Sequence, residues 1–207
     1  MLEKSCQEFL AALASAEPVP GGGGASAYAG ALGVALGSMV ANLTVGKKKY
    51  AAAQEDIQAL LPKADTLRQE LAGLVEKDAA VFAPLARAYG LPKETAAEKE
   101  LRAQVMEQAL SAAALVPLEI MERALDGLSL QAELAEKGSQ MAISDVGVGT
   151  QLLKAAILGA SMNVFINTKL MADRRLAAEM AKKADDLIAA GSALADKIYR
   201  QVEARLR

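Results

Sequence analysis

The hydrophobic positions of the chain recur with helical spacing, and no segment shows the alternation of apolar and polar residues that is typical of a half-buried β-strand. Proline and glycine stops divide this pattern into six predicted helices, over residues 2–16, 25–45, 50–89, 95–125, 144–171 and 173–207. There is no internal repeat and no low-complexity linker. The pattern therefore predicts one all-α domain over residues 1–207, folded as an antiparallel helical bundle.

Several predicted helix ends carry residues with a physical reason to be there. Thr95 and Glu98 fit a capping box that starts the fourth helix, and we expect Gly127 to lie beyond its end. Ser144 or Asp145 is expected to cap the fifth helix. We expect Pro62 and Pro84 to kink or break the third helix, and the fourth helix to continue through Pro117.

One carboxylate interrupts an apolar seam of the third helix. The seam follows alternate spacings of four and three residues and consists of Leu60, Ala64, Leu67, Leu71, Leu74, Asp78, Val81 and Leu85. A buried carboxyl group has a raised pKa and can exchange protons near neutral pH, which makes Asp78 the candidate general acid or base. The alternative is a structural aspartate, bonded to a neighbouring helix terminus or to a lysine.

Two further helices carry unusual faces. The second has small residues on one side, namely Ser26, Gly30, Gly33, Gly37 and Ala41, and this favours close helix packing over direct ligand contact. On the fifth, Asn163 and Asn167 lie one turn apart, so their amides could bind a planar heterocycle or could equally bond a facing helix.

A glycine-rich run at residues 18–24 precedes the second helix. The unpaired N–H groups at such a helix start form a plausible site for an anion or an amide. The run is not a phosphate-binding P-loop because no Gly-Lys-Ser/Thr follows it. A dinucleotide-binding turn is also excluded, since Pro18 and Pro20 rule out the required central strand.

The amino-acid composition excludes several kinds of catalytic and metal site. The chain has no His and one Cys, Cys6, which excludes a Ser-His-Asp triad, Cys-His proteolysis and His-ligated zinc. The net charge of -2 provides no positive electrostatic field that would attract nucleic acid. A single thiol and an N-terminus without a basic leader indicate a cytoplasmic protein. Residues 25–46 are uncharged, but Gly, Ala, Ser, Asn and Thr dominate them, which favours a buried helix over a membrane span.

Four segments together closely resemble the formiminotransferase-cyclodeaminase C-terminal family: PVPGGGGASAYAGALGVALGSMVANLTVGKKKY, LVEKDAAVF, GLPK and SDVGVGTQLLKAAILGASMNVFIN. The resemblance covers nearly the whole chain. It implies an all-α bundle that forms a homodimer, with a reduced folate bound near the subunit interface. It also implies an enzyme that needs no metal and no cofactor beyond its tetrahydrofolate substrate.

The resemblance assigns roles to individual residues. Asp78, in a D-A-x-x-F context completed by Phe82, is expected to be the catalytic proton acceptor, with Lys93 as a neighbouring proton donor. Residues expected around the pterin are Gly21, Gly22, Gly23, Phe82, Ser144, Asp145, Asn163 and Asn167. Basic residues expected at the glutamate tail are Lys47, Lys48 and Lys49, with Arg174 and Arg175 as second choices; solvated lysines at a helix end are the alternative.

Two reactions of this family act on the carbon between nitrogen-5 and nitrogen-10 of tetrahydrofolate. The first expectation is a formiminotetrahydrofolate cyclodeaminase, which forms 5,10-methenyltetrahydrofolate and ammonia. The alternative is a methenyltetrahydrofolate cyclohydrolase, which forms 10-formyltetrahydrofolate. A third possibility, from another functional class, is a non-catalytic folate-binding or scaffold protein in which Asp78 is structural.

Overall fold

The computed structural model describes all 207 residues and is helical without any β-strand. Its α-helices are α1 (Cys6–Leu13), α2 (Gly22–Asn42), α3 (Gln54–Tyr89), α4 (Ala96–Lys137), α5 (Ile143–Leu170) and α6 (Arg174–Leu206). Short 3₁₀ turns over Lys48–Ala53 and Gln140–Ala142 precede α3 and α5. The predicted all-α bundle is confirmed.

Helix α4 lies at the centre of the bundle and contacts α2, α3, α5 and α6. Its fully buried side chains include Ile120, Met121, Leu128 and Leu134. Helix α2 packs between α3 and α5. Alanine and leucine dominate the core, which is how a chain with 3% aromatic residues fills its interior.

The small face of α2 is a helix-packing surface, as predicted. A Cβ atom built on Gly33 would lie 2.8 Å from the carbonyl oxygen of Gly149 on α5, closer than a real Cβ contact. Farther along the same pair of helices, a Cβ on Gly159 would lie 2.5 Å from Ser26 Oγ. The two backbones therefore approach each other along most of their length, and α2 and α5 run antiparallel.

The predicted end of the fourth helix and the predicted cap of the fifth helix are wrong. Helix α4 does not end before Gly127 but continues to Lys137, because Leu153 and Val34 pack onto the bare α-carbon of Gly127 and tertiary packing overrides the low helix propensity of glycine. Helix α5 starts at Ile143, so Ser144 and Asp145 lie in its first turn and neither is its cap.

Other boundaries differ less. Helix α2 begins at Gly22, three residues before the predicted start, and α1 is shorter than predicted, with a capping box formed by Ser5 and Glu8. The capping box of Thr95 and Glu98 is confirmed, and the three prolines lie inside α3 and α4 as predicted. Gly46 adopts a left-handed conformation, with φ of 77°, beyond the end of α2.

Two segments are long and apolar enough to cross a membrane when judged by length and composition alone, Gly22–Asn42 and Gln140–Leu170. About half of the most apolar window in each is buried inside the bundle, at 56% and 50%. Core helices of globular domains pass the same test, so this property is weak evidence for a membrane span.

Candidate active site

Asp78 on α3 lies against the first turn of α2. The backbone N–H of Gly24 donates a hydrogen bond of 2.9 Å to Asp78 Oδ2. A Cβ atom on Gly23 would overlap the carboxyl group, so only glycine at this position allows the carboxyl group to approach so closely. The glycine-rich run and the carboxylate in the apolar seam, which are 54 residues apart in the sequence, thus form one structural unit.

A cavity of about 250 Å³ opens beside this unit. It is lined by Pro18, Val19, Gly21, Gly22, Gly23, Asp78, Val81, Phe82, Ala113, Asn163 and Asn167. Asp78 is the one titratable side chain among them. Any proton transfer by a side chain of this lining therefore has to use its carboxyl group.

Burial dominates the electrostatics of Asp78. Loss of solvation raises the pKa of its carboxyl group, and the hydrogen bond from Gly24 opposes this by stabilising the charged form. The N-terminal end of α2 acts in the same direction as that hydrogen bond, through the helix dipole. The structure contains the helix-terminus contact expected of a structural aspartate, together with the cavity and the raised pKa expected of an acid–base group.

The two asparagines of α5 also line this cavity, and a Cβ atom on Gly22 would lie 3.5 Å from Asn163 Nδ2. Asn167 Nδ2 donates hydrogen bonds to the carbonyl oxygens of Ala113, at 2.9 Å, and Asn163, at 2.8 Å. Asn163 Nδ2 makes a single and longer bond of 3.3 Å to Gly159. Asn167 therefore does bond a facing helix, α4, and it also lines the cavity.

Seven of the residues predicted to form the site meet at this cavity: Gly21, Gly22, Gly23, Asp78, Phe82, Asn163 and Asn167. Pro18 and Val19 belong to the run at residues 18–24 that the sequence pattern singled out, whereas Val81 and Ala113 were not among the predicted site residues. Val81 follows Asp78 in the same apolar seam and could have been included on that ground. The position of Ala113 depends on how α4 packs.

Ser144 and Asp145 do not reach the cavity within the chain. They lie in the first turn of α5, about 28 Å along the helix axis from Asn163. Ser144 instead lines a groove between α5 and α6. One straight helix cannot bring its two ends to one small pocket.

The predicted basic residues are also remote from the cavity. Lys47, Lys48 and Lys49 follow the C-terminal end of α2, about 30 Å along that helix from Gly22. Lys93 is exposed in the loop between α3 and α4 and does not line the cavity.

The second-choice arginines have structural partners. The guanidinium group of Arg174 donates to carbonyl oxygens at the end of α5, those of Thr168, Lys169 and Met171. Arg175 forms an exposed ion pair with Glu179. Elsewhere in the chain, no three His, Cys, Asp or Glu side chains cluster in a way that could hold a metal ion.

Comparison with known proteins connects this arrangement to one family. The formiminotransferase-cyclodeaminase family model matches residues 5–186. The chain is 41% identical to the methenyltetrahydrofolate cyclohydrolase of Methylorubrum extorquens, and the match covers 98% of both chains. It is 31% identical to the formimidoyltransferase-cyclodeaminase of Mus musculus over 99% of its own length, but spans only 38% of that longer protein.

A solved structure shares the fold over its full length. The crystal structure of formiminotetrahydrofolate cyclodeaminase from Thermotoga maritima superposes with a TM-score of 0.89 at 27% identity and covers 100% of both chains. The family match, the relatives and the common fold confirm the resemblance drawn from the sequence motifs. The chain belongs to the formiminotransferase-cyclodeaminase family.

Proposed function

We propose that this enzyme makes and breaks bonds at the carbon that bridges nitrogen-5 and nitrogen-10 of tetrahydrofolate, with Asp78 as the group that carries the proton. The observation that supports this most directly is the placement of Asp78. Its carboxyl group is the one titratable side chain lining the cavity, it is held by Gly24, and burial raises its pKa. Acid–base chemistry of this kind requires no cofactor.

Sequence identity favours hydrolysis of 5,10-methenyltetrahydrofolate as the main reaction. The relative that is 41% identical over the full length of both chains is a cyclohydrolase, whereas the Mus musculus and Thermotoga maritima cyclodeaminases are 31% and 27% identical. This changes the priority given by the sequence motifs, which put the cyclodeaminase first. Both reactions pass through a tetrahedral carbon between the same two nitrogens, so one cavity suits either.

In the hydrolysis, a water molecule attacks the bridging carbon of the methenyl cation while the Asp78 carboxylate takes one of its protons. A C–O bond forms and the carbon becomes tetrahedral. Asp78 then returns its proton to nitrogen-5 as the C–N5 bond breaks, and the remaining hydroxyl proton leaves as the formyl carbonyl forms. One water is consumed and one proton is released, and the same carboxyl group serves both halves of the reaction.

Cyclodeamination is the second candidate, and the full-length structural match to a cyclodeaminase favours it. Nitrogen-10 of 5-formiminotetrahydrofolate attacks the formimino carbon and forms the new C–N10 bond. Asp78 takes the proton of nitrogen-10 and delivers it to the formimino nitrogen. The bond between carbon and that nitrogen breaks, ammonia leaves, and the positive charge of the protonated formimino group stays on the methenyl product.

We further propose that two copies of the chain pair through the outer faces of α2 and α5. These neighbouring helices expose a set of large apolar side chains, here called the α2/α5 face: Leu32, Met39, Leu43, Val148, Leu158, Met162 and Ile166. A face of this kind on a water-soluble bundle is typical of a subunit interface. The homodimer expected from the family resemblance would cover it.

A two-fold axis that lies in the plane of this face and runs perpendicular to α2 would bring the remote residues to the cavity. Such an axis places the C-terminal end of one α2 beside the N-terminal end of the other. Lys47, Lys48 and Lys49 of one copy would then lie near the cavity of the second, where they could meet the glutamate tail of folate. Ser144 and Asp145, at the N-terminal end of α5, would also lie near the cavity of the second copy. Lys93 keeps its proposed role as a proton donor only if such an assembly brings it to the cavity.

The deciding experiment incubates the purified protein separately with 5,10-methenyltetrahydrofolate and with 5-formiminotetrahydrofolate. The near-ultraviolet absorbance of the methenyl form and the released ammonia are followed, with uncatalysed rates subtracted. Decay of the methenyl absorbance identifies a cyclohydrolase, and growth with stoichiometric ammonia identifies a cyclodeaminase. Binding of a reduced folate with no turnover of either substrate would favour the non-catalytic alternative.

The variant Asp78→Asn keeps an acceptor for the Gly24 N–H but cannot carry a proton. We expect it to bind folate and to lose about 10²–10⁴-fold in kcat, the usual worth of general acid–base catalysis. Asp65→Asn is the matched control, since Asp65 is an exposed aspartate on the same helix. Full activity of Asp78→Asn would remove the assignment. We propose a cytoplasmic enzyme, because the single cysteine, Cys6, is a free and exposed thiol. We propose that it has no nucleic-acid partner, because its net charge is -2.

A further inference from the structure

Pro117 leaves one backbone carbonyl of α4 without its helical donor. In an α-helix the N–H of residue 117 would bond the carbonyl of residue 113, and proline has no N–H. The carbonyl oxygen of Ala113 instead accepts a hydrogen bond of 2.9 Å from Asn167 Nδ2 on α5. Ala113 is 5% exposed, so water has little access to this oxygen.

The other two helical prolines offer a contrast. Pro62 and Pro84 free the carbonyls of Gln58 and Ala80 in the same way. Both of those residues are exposed, and no side chain bonds their carbonyls, which solvent can reach. Among the three prolines, only Pro117 frees a carbonyl that accepts a hydrogen bond from a side chain on another helix.

The hydrogen bond to the Ala113 carbonyl helps to fix the orientation of the Asn167 amide. Both hydrogens of Nδ2 point at carbonyl oxygens, those of Ala113 and Asn163, and a flipped amide would place its oxygen against both. The Asn167 side chain is held in place because the residue is only 9% exposed. No donor within the chain reaches its Oδ1, and the residue lines the cavity, so a fixed acceptor is presented there.

We propose that Asn167 Oδ1 accepts a hydrogen bond from an N–H group of the substrate's reduced pterin ring, and that Pro117 is a positioning residue that sets this acceptor by freeing the Ala113 carbonyl. The reduced pterin offers several N–H donors along its edge, and an acceptor-only group is complementary to them. This inference rests on the proposed function, since it names how the same cavity recognises its substrate.

Three variants separate a binding role from a structural one. Asn167→Ala removes the acceptor but also leaves the Ala113 carbonyl unpaired, so it loses stability as well as affinity. Pro117→Ala supplies the missing N–H to Ala113 and removes the need for Asn167 to bond it. The double variant Asn167→Ala with Pro117→Ala therefore restores the thermal stability lost in Asn167→Ala, while the acceptor stays absent.

The measurements are the melting temperature, the Kd for 5-formyltetrahydrofolate by calorimetry, and kcat and KM for 5,10-methenyltetrahydrofolate. We expect the double variant to melt near the wild type but to bind about fivefold to tenfold more weakly, the worth of one neutral hydrogen bond, with KM raised and kcat little changed. Pro117→Ala alone is expected to weaken binding about threefold, because the side-chain amide of Asn167 is no longer held by the carbonyls of both Ala113 and Asn163.

Pro62→Ala is the matched control, as a proline replaced within a long helix whose freed carbonyl is on an exposed residue. It should bind as the wild type does. A double variant with wild-type Kd and KM would overturn the acceptor role of Asn167, and Pro117→Ala with wild-type Kd would overturn the positioning role of Pro117. If the wild type turns over neither folate substrate, the proposed function itself fails, which is a distinguishable result.

Discussion

The α-carbon of Gly23 packs directly against the carboxyl group of Asp78, and this contact leaves no room for a methyl group at position 23. The contact explains why the candidate acid–base group meets the start of α2 at a glycine. The position of the Asp78 carboxyl group therefore depends on Gly23, although glycine has no reactive side chain.

The variant Gly23→Ala should displace the Asp78 carboxyl group and break its bond to Gly24. We expect a loss of about 1–3 kcal/mol in the free energy of unfolding from overpacking, and a fall in kcat of at least tenfold. Urea unfolding and steady-state kinetics measure the two effects. Gly73→Ala is the control, because nothing lies within 4 Å of a Cβ there and the helix should gain up to about 1 kcal/mol. Wild-type kcat in Gly23→Ala would refute this role of Gly23.

The raised pKa of Asp78 has a defined effect on stability. Because burial raises the pKa above its unfolded value of about 3.9, the folded state holds the proton more tightly. The free energy of unfolding therefore falls as pH rises through the interval between the unfolded and the folded pKa. Asp78→Asn should lack this decline, so the free energies of unfolding of the two proteins should keep a constant difference below that interval and change relative to each other within it. Denaturant unfolding at a series of pH values measures it; parallel curves would contradict the sign.

The same shift predicts a pH dependence of catalysis. If the Asp78 carboxylate takes the first proton, kcat/KM should fall as pH decreases through the raised pKa of the free enzyme and the carboxyl group becomes protonated. A profile of kcat/KM against pH should then show one acidic limb above the usual range for an aspartate. A flat profile through the weakly acidic region would contradict a role for Asp78 as base.

Gln131 of α4 is fully buried where α2, α4 and α5 meet. Its Nε2 donates a hydrogen bond of 2.8 Å to the carbonyl oxygen of Gly33, and its Oε1 has no partner. Gln131→Glu would replace this donor with a carboxyl group facing a carbonyl, in a site without a compensating cation. We expect a loss of about 3 kcal/mol or more at neutral pH, recovered in part in acid as the carboxyl group is protonated. Gln131→Met, of similar size and uncharged, should lose less; equal losses would contradict the electrostatic cause.

The proposed subunit interface can be tested with a single charge. Leu32→Glu places a carboxylate on the α2/α5 face, at a residue that is 42% exposed in the single chain. It should shift the protein from dimer to monomer in light scattering with little effect on the unfolding of the monomer. Leu101→Glu on α4, where the leucine is 58% exposed outside this face, should leave the dimer intact. A monomeric wild type would refute the proposed pairing.

Local pattern was enough to predict the helices and the seam position of Asp78, because apolar spacing and capping residues act within a few residues of each other. It was not enough for Gly127, whose place inside α4 depends on Leu153 from another helix. The hydrogen bond from Asn167 to Ala113 joins residues 54 positions apart, and although Pro117 marks the free carbonyl, nothing in the local sequence identifies Asn167 as its donor. The separation of Asp145 from Asn163, by contrast, follows from helix geometry alone and could have been predicted.

The donor that holds Asp78 belongs to the main chain. A methyl group at position 24 would have its nearest neighbours at 3.6 Å, so Gly24→Ala fits and keeps the N–H. Alanine scanning would therefore register no defect at the residue that anchors the acid–base group. Gly24→Pro removes the donor and places a ring carbon where the N–H hydrogen pointed at Asp78 Oδ2, so the carboxyl group loses its anchor. The contribution of Gly24 therefore does not appear when side chains are replaced one at a time. It appears only when the backbone N–H itself is removed.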